Sequence, residues 1–203
     1  KEFIRTLGGK IIIVNNAEGT VQGTKNTILG YRGSKMVTLK PEPYNQPTDN
    51  GKTYHVSTWF NFASGRSMDS ELQKYPEFFQ LLQKADLANY ITTGSYEYPF
   101  LTTGEHYTVF APTPEAINEA QLDTLPEERL AKVLKNHFVK GDIIFTDGAK
   151  PYKSYTTTRI DESSTNYVTR YSQMDIDPQP DVIKIMDKNG DVYVEIPEKV
   201  GVT

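Results

Sequence analysis

The sequence contains no cysteine, no long apolar run and no block of basic residues. Without cysteine there can be no disulfides, thiolate metal sites or cysteine nucleophiles. The longest apolar run is the segment 11–14, far too short to cross a bilayer. The 22 basic and 26 acidic residues are interspersed and give a net charge of −4, so a nucleic-acid-binding surface is not expected.

Aromatic residues are plentiful and supply material for a core. The chain has 9 Phe, 13 Tyr and 1 Trp, and this content argues against disorder. A length of 203 residues is enough to bury a core without disulfides or metal, and it has room for one large domain or two small ones. Composition therefore indicates a globular protein and leaves its function open.

Local patterns predict strands, then helices, then strands again. Short β-branched segments separated by turn-forming residues occupy residues 1–60, and small polar residues at 61–70 indicate a boundary or linker. Beyond residue 152 the chain is again of β type, with a hairpin turn at 187–190. Helices segregated from strands in this way favour an α+β fold over a βαβ repeat.

Proline and hydroxyl residues predict where two of the helices begin. Pro76 fits only the first turn of a helix, so this helix is expected to start near Tyr75. The Thr113 hydroxyl is suited to cap a second helix that begins at Pro114.

A third helix is predicted from a capping box at 124–127. Apolar residues beyond it recur at helical spacing and place His137 on the same face. Gly141 is expected to close this helical stretch.

Three segments together resemble the fasciclin (FAS1) family. The first reads T-V-F-A-P-T and comprises Thr108, Val109, Phe110, Ala111, Pro112 and Thr113. The second, from Asn136 through His137 to Gly141, is similar to the family's Y-H-V-V-x-G, and residues 75–87 look like its opening helix. The resemblance covers about 70–145. It implies a fasciclin-like α+β fold, a short-stranded β-sandwich or wedge with a cluster of helices on one side.

The N-terminal part resembles the other end of such a domain. Asn50, Gly51 and His55 match the family's closing N-G-V-V-H-V strand. Residues 1–68 are therefore interpreted as the C-terminal β part of one fasciclin-like domain, and 69–203 as the helices and central strands of the next. The resemblance suggests a bacterial surface protein with tandem copies. The alternative is a permuted single domain in which residues 1–60 complete the sheet.

The resemblance implies a non-catalytic adhesion or binding module at the cell surface or in the periplasm. Its partner would be a protein or a glycan, it would need no cofactor, and neighbouring fasciclin-like domains are expected. Membrane attachment would come only through parts outside this chain. The alternative is a polysaccharide-acting enzyme or an accessory carbohydrate-binding unit, which would need carboxylates and aromatic rings converging in a cleft.

The histidines favour structural roles over chemical ones. His137 is interpreted as a buried residue whose ring nitrogens bond to backbone or hydroxyl groups, with partner binding as the alternative. The three histidines, at 55, 106 and 137, lack metal-ligand spacing, so no metal site is expected. Residues 187–191 faintly resemble a calcium loop, but a hairpin turn explains them with fewer assumptions.

No nucleophile elbow, phosphate-binding loop or dinucleotide fingerprint occurs, and the chain is not expected to be an enzyme. The remaining signal is an aromatic cluster in a loop predicted at 91–106, formed by Tyr96, Tyr98 and Phe100. These rings could bind a partner. The alternative is that they pack the loop onto the core.

Overall fold

A computed structural model describes residues 2–7, 11–23, 37–38, 46–54, 68–145, 150–180, 182–187 and 189–197. Its N-terminal part is β-structured. A four-stranded antiparallel sheet is formed, in chain order, by β1 (Glu2–Arg5), β2 (Ile11–Asn15), β3 (Thr20–Gly23) and β4 (Val37–Thr38). A separate hairpin is formed by β5 (Gln46–Thr48) and β6 (Gly51–Thr53).

All the helices among the described residues follow the N-terminal strands. They are α1 (Met68–Leu72), α2 (Pro76–Lys84), α3 (Pro114–Glu119) and α4 (Glu127–Lys135), with a 3-10 turn at Leu122–Thr124. The hairpin of β7 (Asn89–Thr92) and β8 (Ser95–Glu97) lies between α2 and α3 in the chain.

A six-stranded antiparallel sheet completes the fold. Its strands, in spatial order, are β9 (Tyr107–Val109), β10 (Phe138–Lys140), β11 (Lys153–Ile160), β12 (Tyr171–Gln179), β13 (Val182–Met186) and β14 (Val192–Pro197). Helices α3 and α4 separate β9 from β10 in sequence, although these strands are neighbours in the sheet. The architecture confirms the predicted fasciclin-like α+β fold.

Strand β10 separates two hydrophobic cores. Successive side chains of a strand point to opposite faces, and here Phe138 enters a core built by the helices whereas Val139 enters a second core on the sheet. Both side chains are fully buried. The first core includes Phe78, Leu82, Leu130 and Leu134, and the second includes Ile144, Tyr155, Ile176 and Ile183.

The two proline-based predictions of helix starts are confirmed. Helix α2 begins at Pro76 with Tyr75 at the N-cap. Helix α3 begins at Pro114, and the Ala116 amide donates to the Thr113 hydroxyl at 3.3 Å. Both starts depend on contacts within a few residues, which local sequence specifies well.

The predicted capping box at 124–127 is wrong. Helix α4 begins at Glu127 with Pro126 at the N-cap, and the Thr124 hydroxyl donates instead to the Gln121 carbonyl. A residue before proline avoids helical backbone, and Leu125 is accordingly extended, with φ −66° and ψ 145°. The prediction of a helical stretch up to Gly141 is also wrong, because α4 ends at Lys135 and residues 138–140 form a strand.

The sheet of β1–β4 and the six-stranded sheet are separate among the described residues. In a permuted domain residues 1–60 would complete the larger sheet, and residues 55–60 of that stretch lie outside the described residues. The division at residue 68 therefore stays a prediction. Helix α1 begins at this position, and its Leu72 is buried in the helical core.

Candidate functional site

The segment that reads T-V-F-A-P-T, residues 108–113, begins within β9 and ends at the cap of α3. Thr108 is buried, donates its hydroxyl to the Asp142 carbonyl at 2.9 Å and accepts from the Ile144 amide at 3.1 Å. Val109 pairs with Phe138 of β10. The hydroxyl of Thr108 thus ties the chain that follows β10 to the edge strand of the sheet.

His137 and Phe110 are joined by two hydrogen bonds. The Phe110 amide donates to the His137 carbonyl at 2.9 Å, and His137 Nδ1 lies 2.7 Å from the Phe110 carbonyl. Because a carbonyl only accepts, Nδ1 carries the proton. Burial lowers the pKa of His137, and the hydrogen bond to Phe110 opposes this effect. The His137 ring also packs 5.8 Å from that of Phe78. His137 therefore locks the end of α4 to β9, which agrees with the structural interpretation.

The other residues of the two family segments take local structural positions. Ala111 packs against the helical core, Pro112 precedes the cap of α3, and Thr113 is that cap. Gly141 has a φ of +82°, a conformation that favours glycine. Its amide donates to the His106 carbonyl at 2.8 Å, so it turns the chain at the end of β10.

The residues resembling a closing strand lie in the N-terminal part. Asn50 is in the turn of the β5–β6 hairpin, and Gly51 begins β6 opposite Thr48. Both are exposed. His55 lies outside the described residues, so its role stays a prediction.

The three aromatic residues proposed for partner binding have different surroundings. Tyr96 belongs to β8, because residues 89–97 form a hairpin where a loop was predicted. Its ring meets Phe79 edge-on at 4.8 Å. Phe100 meets Phe138 edge-on at 4.9 Å and packs on the helical core. Tyr96 and Phe100 are thus engaged in packing. On the paired strand β7, Tyr90 and Ile91 are exposed, at 65% and 58%.

Tyr98 is anchored by a carboxylate that sequence reasoning missed. Its hydroxyl donates to Asp69 at 2.9 Å. Asp69 also accepts from the Gln73 side chain at 2.9 Å and from the Tyr96 amide at 3.2 Å. Burial, with the hydrogen bond to Asp69, raises the pKa of Tyr98. The segment predicted as a linker therefore supplies the residue that fixes the β8 strand.

Tyr96 and Tyr98 come together in an open depression of about 490 Å³ between α1, β8 and the chain leading into β9. We call this feature the tyrosine depression. Its lining residues are Met68, Asp69, Ser95, Tyr96, Glu97, Tyr98, Leu101, Thr102, Thr103, Gly104, Glu105 and Tyr107. Three are carboxylates, three are tyrosines, and none of these described residues is basic.

The carboxylates of the depression differ in their surroundings. Asp69 is partly buried, and its oxygens are occupied by three donors. Glu97 and Glu105 are exposed, and within the described part of the chain no salt bridge involves either. The two glutamates are therefore available to a partner, whereas Asp69 serves the structure.

Metal binding finds no support among the residues that the structure describes, where no group of three His, Asp or Glu could hold an ion. The turn that faintly resembles a calcium loop is a hairpin between β13 and β14. The Asp187 carboxylate accepts there from the amides of Asn189 and Asp191, at 2.8 and 3.0 Å. Gly190 has a φ of +87°. These bonds engage the Asp187 carboxylate within the turn itself.

The family comparison matches the chain to the fasciclin domain over residues 73–194. This is more than half of the chain, and the protein belongs to the fasciclin family. A fasciclin domain is generally a non-catalytic adhesion or binding module, usually extracellular or surface-associated. No curated protein matches the chain. Across the described ranges, every helix is too short or too polar to cross a bilayer.

Proposed function

We propose that this chain is an extracytoplasmic, non-catalytic adhesion module that binds a protein partner at the tyrosine depression. The observation that carries the proposal is the lining itself, with two exposed glutamates beside tyrosine rings and no basic residue among its described members. Aromatic anchors surrounded by a polar rim are typical of protein-binding surfaces.

The charge of the depression favours a partner segment that carries Lys or Arg. A guanidinium can stack on a tyrosine face and pair with a carboxylate at the same time. Glu97 and Glu105 offer acceptors that have no cation of their own in the described part of the chain. Tyr96, Tyr98 and Tyr107 line the depression beside them.

The aromatic wall is held in place before any partner arrives. Tyr96 is fixed between Phe79 at 4.8 Å and Tyr90 at 5.7 Å, and Tyr98 is held by Asp69. Because these rings are already ordered, binding costs little side-chain entropy. A preformed aromatic surface is what a recognition module needs.

A carbohydrate ligand is the second candidate, because tyrosine rings and carboxylate acceptors also recognise sugars. This possibility includes the accessory carbohydrate-binding unit considered above. Hydrolysis is less well supported, since the Asp69 oxygens are already engaged by Tyr98, Gln73 and Tyr96.

The test is a binding screen of the whole chain against extracellular-matrix proteins and a glycan array. For any protein that binds, the double variant Glu97→Gln/Glu105→Gln should weaken affinity at least about tenfold, and raised salt should weaken the wild type similarly. Glu119→Gln is the matched control, since this exposed glutamate lies on α3 outside the depression. Equal binding by all three proteins would exclude the depression, and glycan binding alone would favour the second candidate.

A further inference from the structure

Strand β1 contacts the rim of the tyrosine depression through one of its faces. Phe3 and Arg5 are two residues apart, so they point to the same side of the strand. The Phe3 ring meets the His106 ring edge-on at 5.3 Å, and Lys150 Nζ lies 5.8 Å from its centre. Arg5 Nη1 donates to the Gly104 carbonyl at 3.2 Å.

The receiving surface is itself held in place. The His106 carbonyl accepts from the Gly141 amide at 2.8 Å, which ties the residue under Phe3 to the end of β10. Lys150 pairs with Asp142 at 2.8 Å, so its cation is positioned over the Phe3 ring. The Phe3 ring thus meets two groups that belong to the fasciclin domain.

The contact adjoins the candidate binding surface. Gly104 and Glu105 line the tyrosine depression, and Arg5 is bonded to the first of them. The Arg5 side chain therefore brings a positive charge to this rim. A partner that reaches Glu105 would also meet β1.

We infer that the four-stranded sheet is docked on the fasciclin domain through Phe3 and Arg5 and extends the recognition surface at the rim near Gly104. The docking stands on the contacts above, whereas its part in recognition rests on the proposed function. The surface is then composite, because Arg5 of the N-terminal sheet contacts Gly104, a residue of the fasciclin domain that lines the depression.

The test of docking uses paramagnetic relaxation in the whole chain. The protein has no cysteine, so Thr103→Cys gives a single site for a nitroxide label on the exposed rim. Docking predicts that the label broadens the amide signals of β1. Phe3→Ala/Arg5→Ala should remove this broadening. Ile4→Ala, on the opposite face of the same strand and 53% exposed, should keep it.

A second variant distinguishes a loss of docking from a folding defect that the substitutions cause within β1 itself. Lys150→Met removes the cation from the other side of the contact and leaves the strand unchanged, so it should reduce the broadening partially. Amide signals of β1 that are not broadened in the wild type would overturn the docking. Broadening that survives in the Phe3→Ala/Arg5→Ala variant would overturn the role of these two side chains.

The contribution to recognition is measured with any protein found in the screen. Phe3→Ala, which keeps the Arg5 charge, should weaken its affinity several-fold, and Ile4→Ala should not. If the glutamate variants lose affinity while Phe3→Ala does not, the composite surface is refuted and the proposed function stands. If no protein or glycan binds, the proposed function and the composite surface both fail, and the label experiment alone decides the docking.

Discussion

Replacing His137 tests the joint between the helices and the sheet. His137→Ala removes the Nδ1 donor from the Phe110 carbonyl and a ring that packs against Phe78. Leaving a partly buried acceptor unpaired and losing this packing should cost about 2–3 kcal/mol. For a chain of this length, that corresponds to a fall of roughly 4–12 °C in Tm. Differential scanning calorimetry and urea denaturation measure both quantities.

A matched variant separates the hydrogen bond from the volume of the ring. Asn carries an amide donor close to the position of Nδ1, so His137→Asn should recover part of the stability lost in His137→Ala. Leu fills the space but cannot donate, so His137→Leu should not recover that part. Equal stability of the Asn and Leu variants would refute the argument that the Phe110 carbonyl needs its donor.

The same residue predicts a dependence of stability on pH. Burial lowers the pKa of His137 in the folded protein below its usual 6.5, so the unfolded chain binds a proton more readily. Stability therefore rises with pH in this range. The contribution of His137 is complete above about pH 6.5 and is lost as pH falls through the lowered folded value. A stability profile between these limits that is identical in wild type and His137→Asn would contradict this.

Three further substitutions have definite expected outcomes. Thr113→Ala should lower the free energy of unfolding by about 1 kcal/mol by removing the cap of α3, whereas Thr113→Ser should retain most of it, as urea denaturation would show. Burial alone would raise the pKa of Asp142, but Lys150 and Lys153 more than offset this and lower it. The stability that Asp142 contributes is therefore complete above its usual pKa of 3.8 and is lost as pH falls through the lowered value. Asp142→Asn should cost about 1–2 kcal/mol at neutral pH. It should also reduce the loss of stability that the wild type shows at acid pH, as urea denaturation over a pH series would show. Tyr98→Phe should cost about 1 kcal/mol, because it removes the hydroxyl that donates to Asp69. Tyr98→Ala should cost more, because the ring also packs on the helical core. Equal melting temperatures for the two variants would refute the packing role.

Local chemistry predicted the parts of the fold that local contacts decide. Pro76 and Thr113 fix helix starts within a single turn, and the turn at 187–190 needs only its own amides and carboxylate. The capping box failed for an equally local reason, since Pro126 forces the residue before it out of helical backbone. The sequence therefore contained the information needed, because a proline two residues after a candidate cap prevents the helix from starting at that cap.

The tyrosine depression could not be predicted because it depends on distant residues. Asp69 lies 29 positions from Tyr98, and nothing within a helical turn of Asp69 indicates that it will accept from that hydroxyl. Tyr90 and Ile91 were missed for a related reason. Their exposure follows from the pairing of β7 with β8, and the segment was interpreted as part of a helix–strand connection.

The residues that identify the family and the residues available for recognition are different sets. The polar groups of Thr108, Phe110 and His137 are engaged in hydrogen bonds within the fold. Beside them, Phe138 and Val139 are buried in the two cores. A group committed in this way cannot change partner without a loss of stability. The polar groups proposed for recognition are ones that the fold does not already engage. Glu97 and Glu105 meet that condition, because both are exposed and neither forms an ion pair with the described residues. Under the proposed function, two fasciclin domains can share the same joint and bind unrelated partners, because the tyrosine depression lies outside the segments by which the family is recognised.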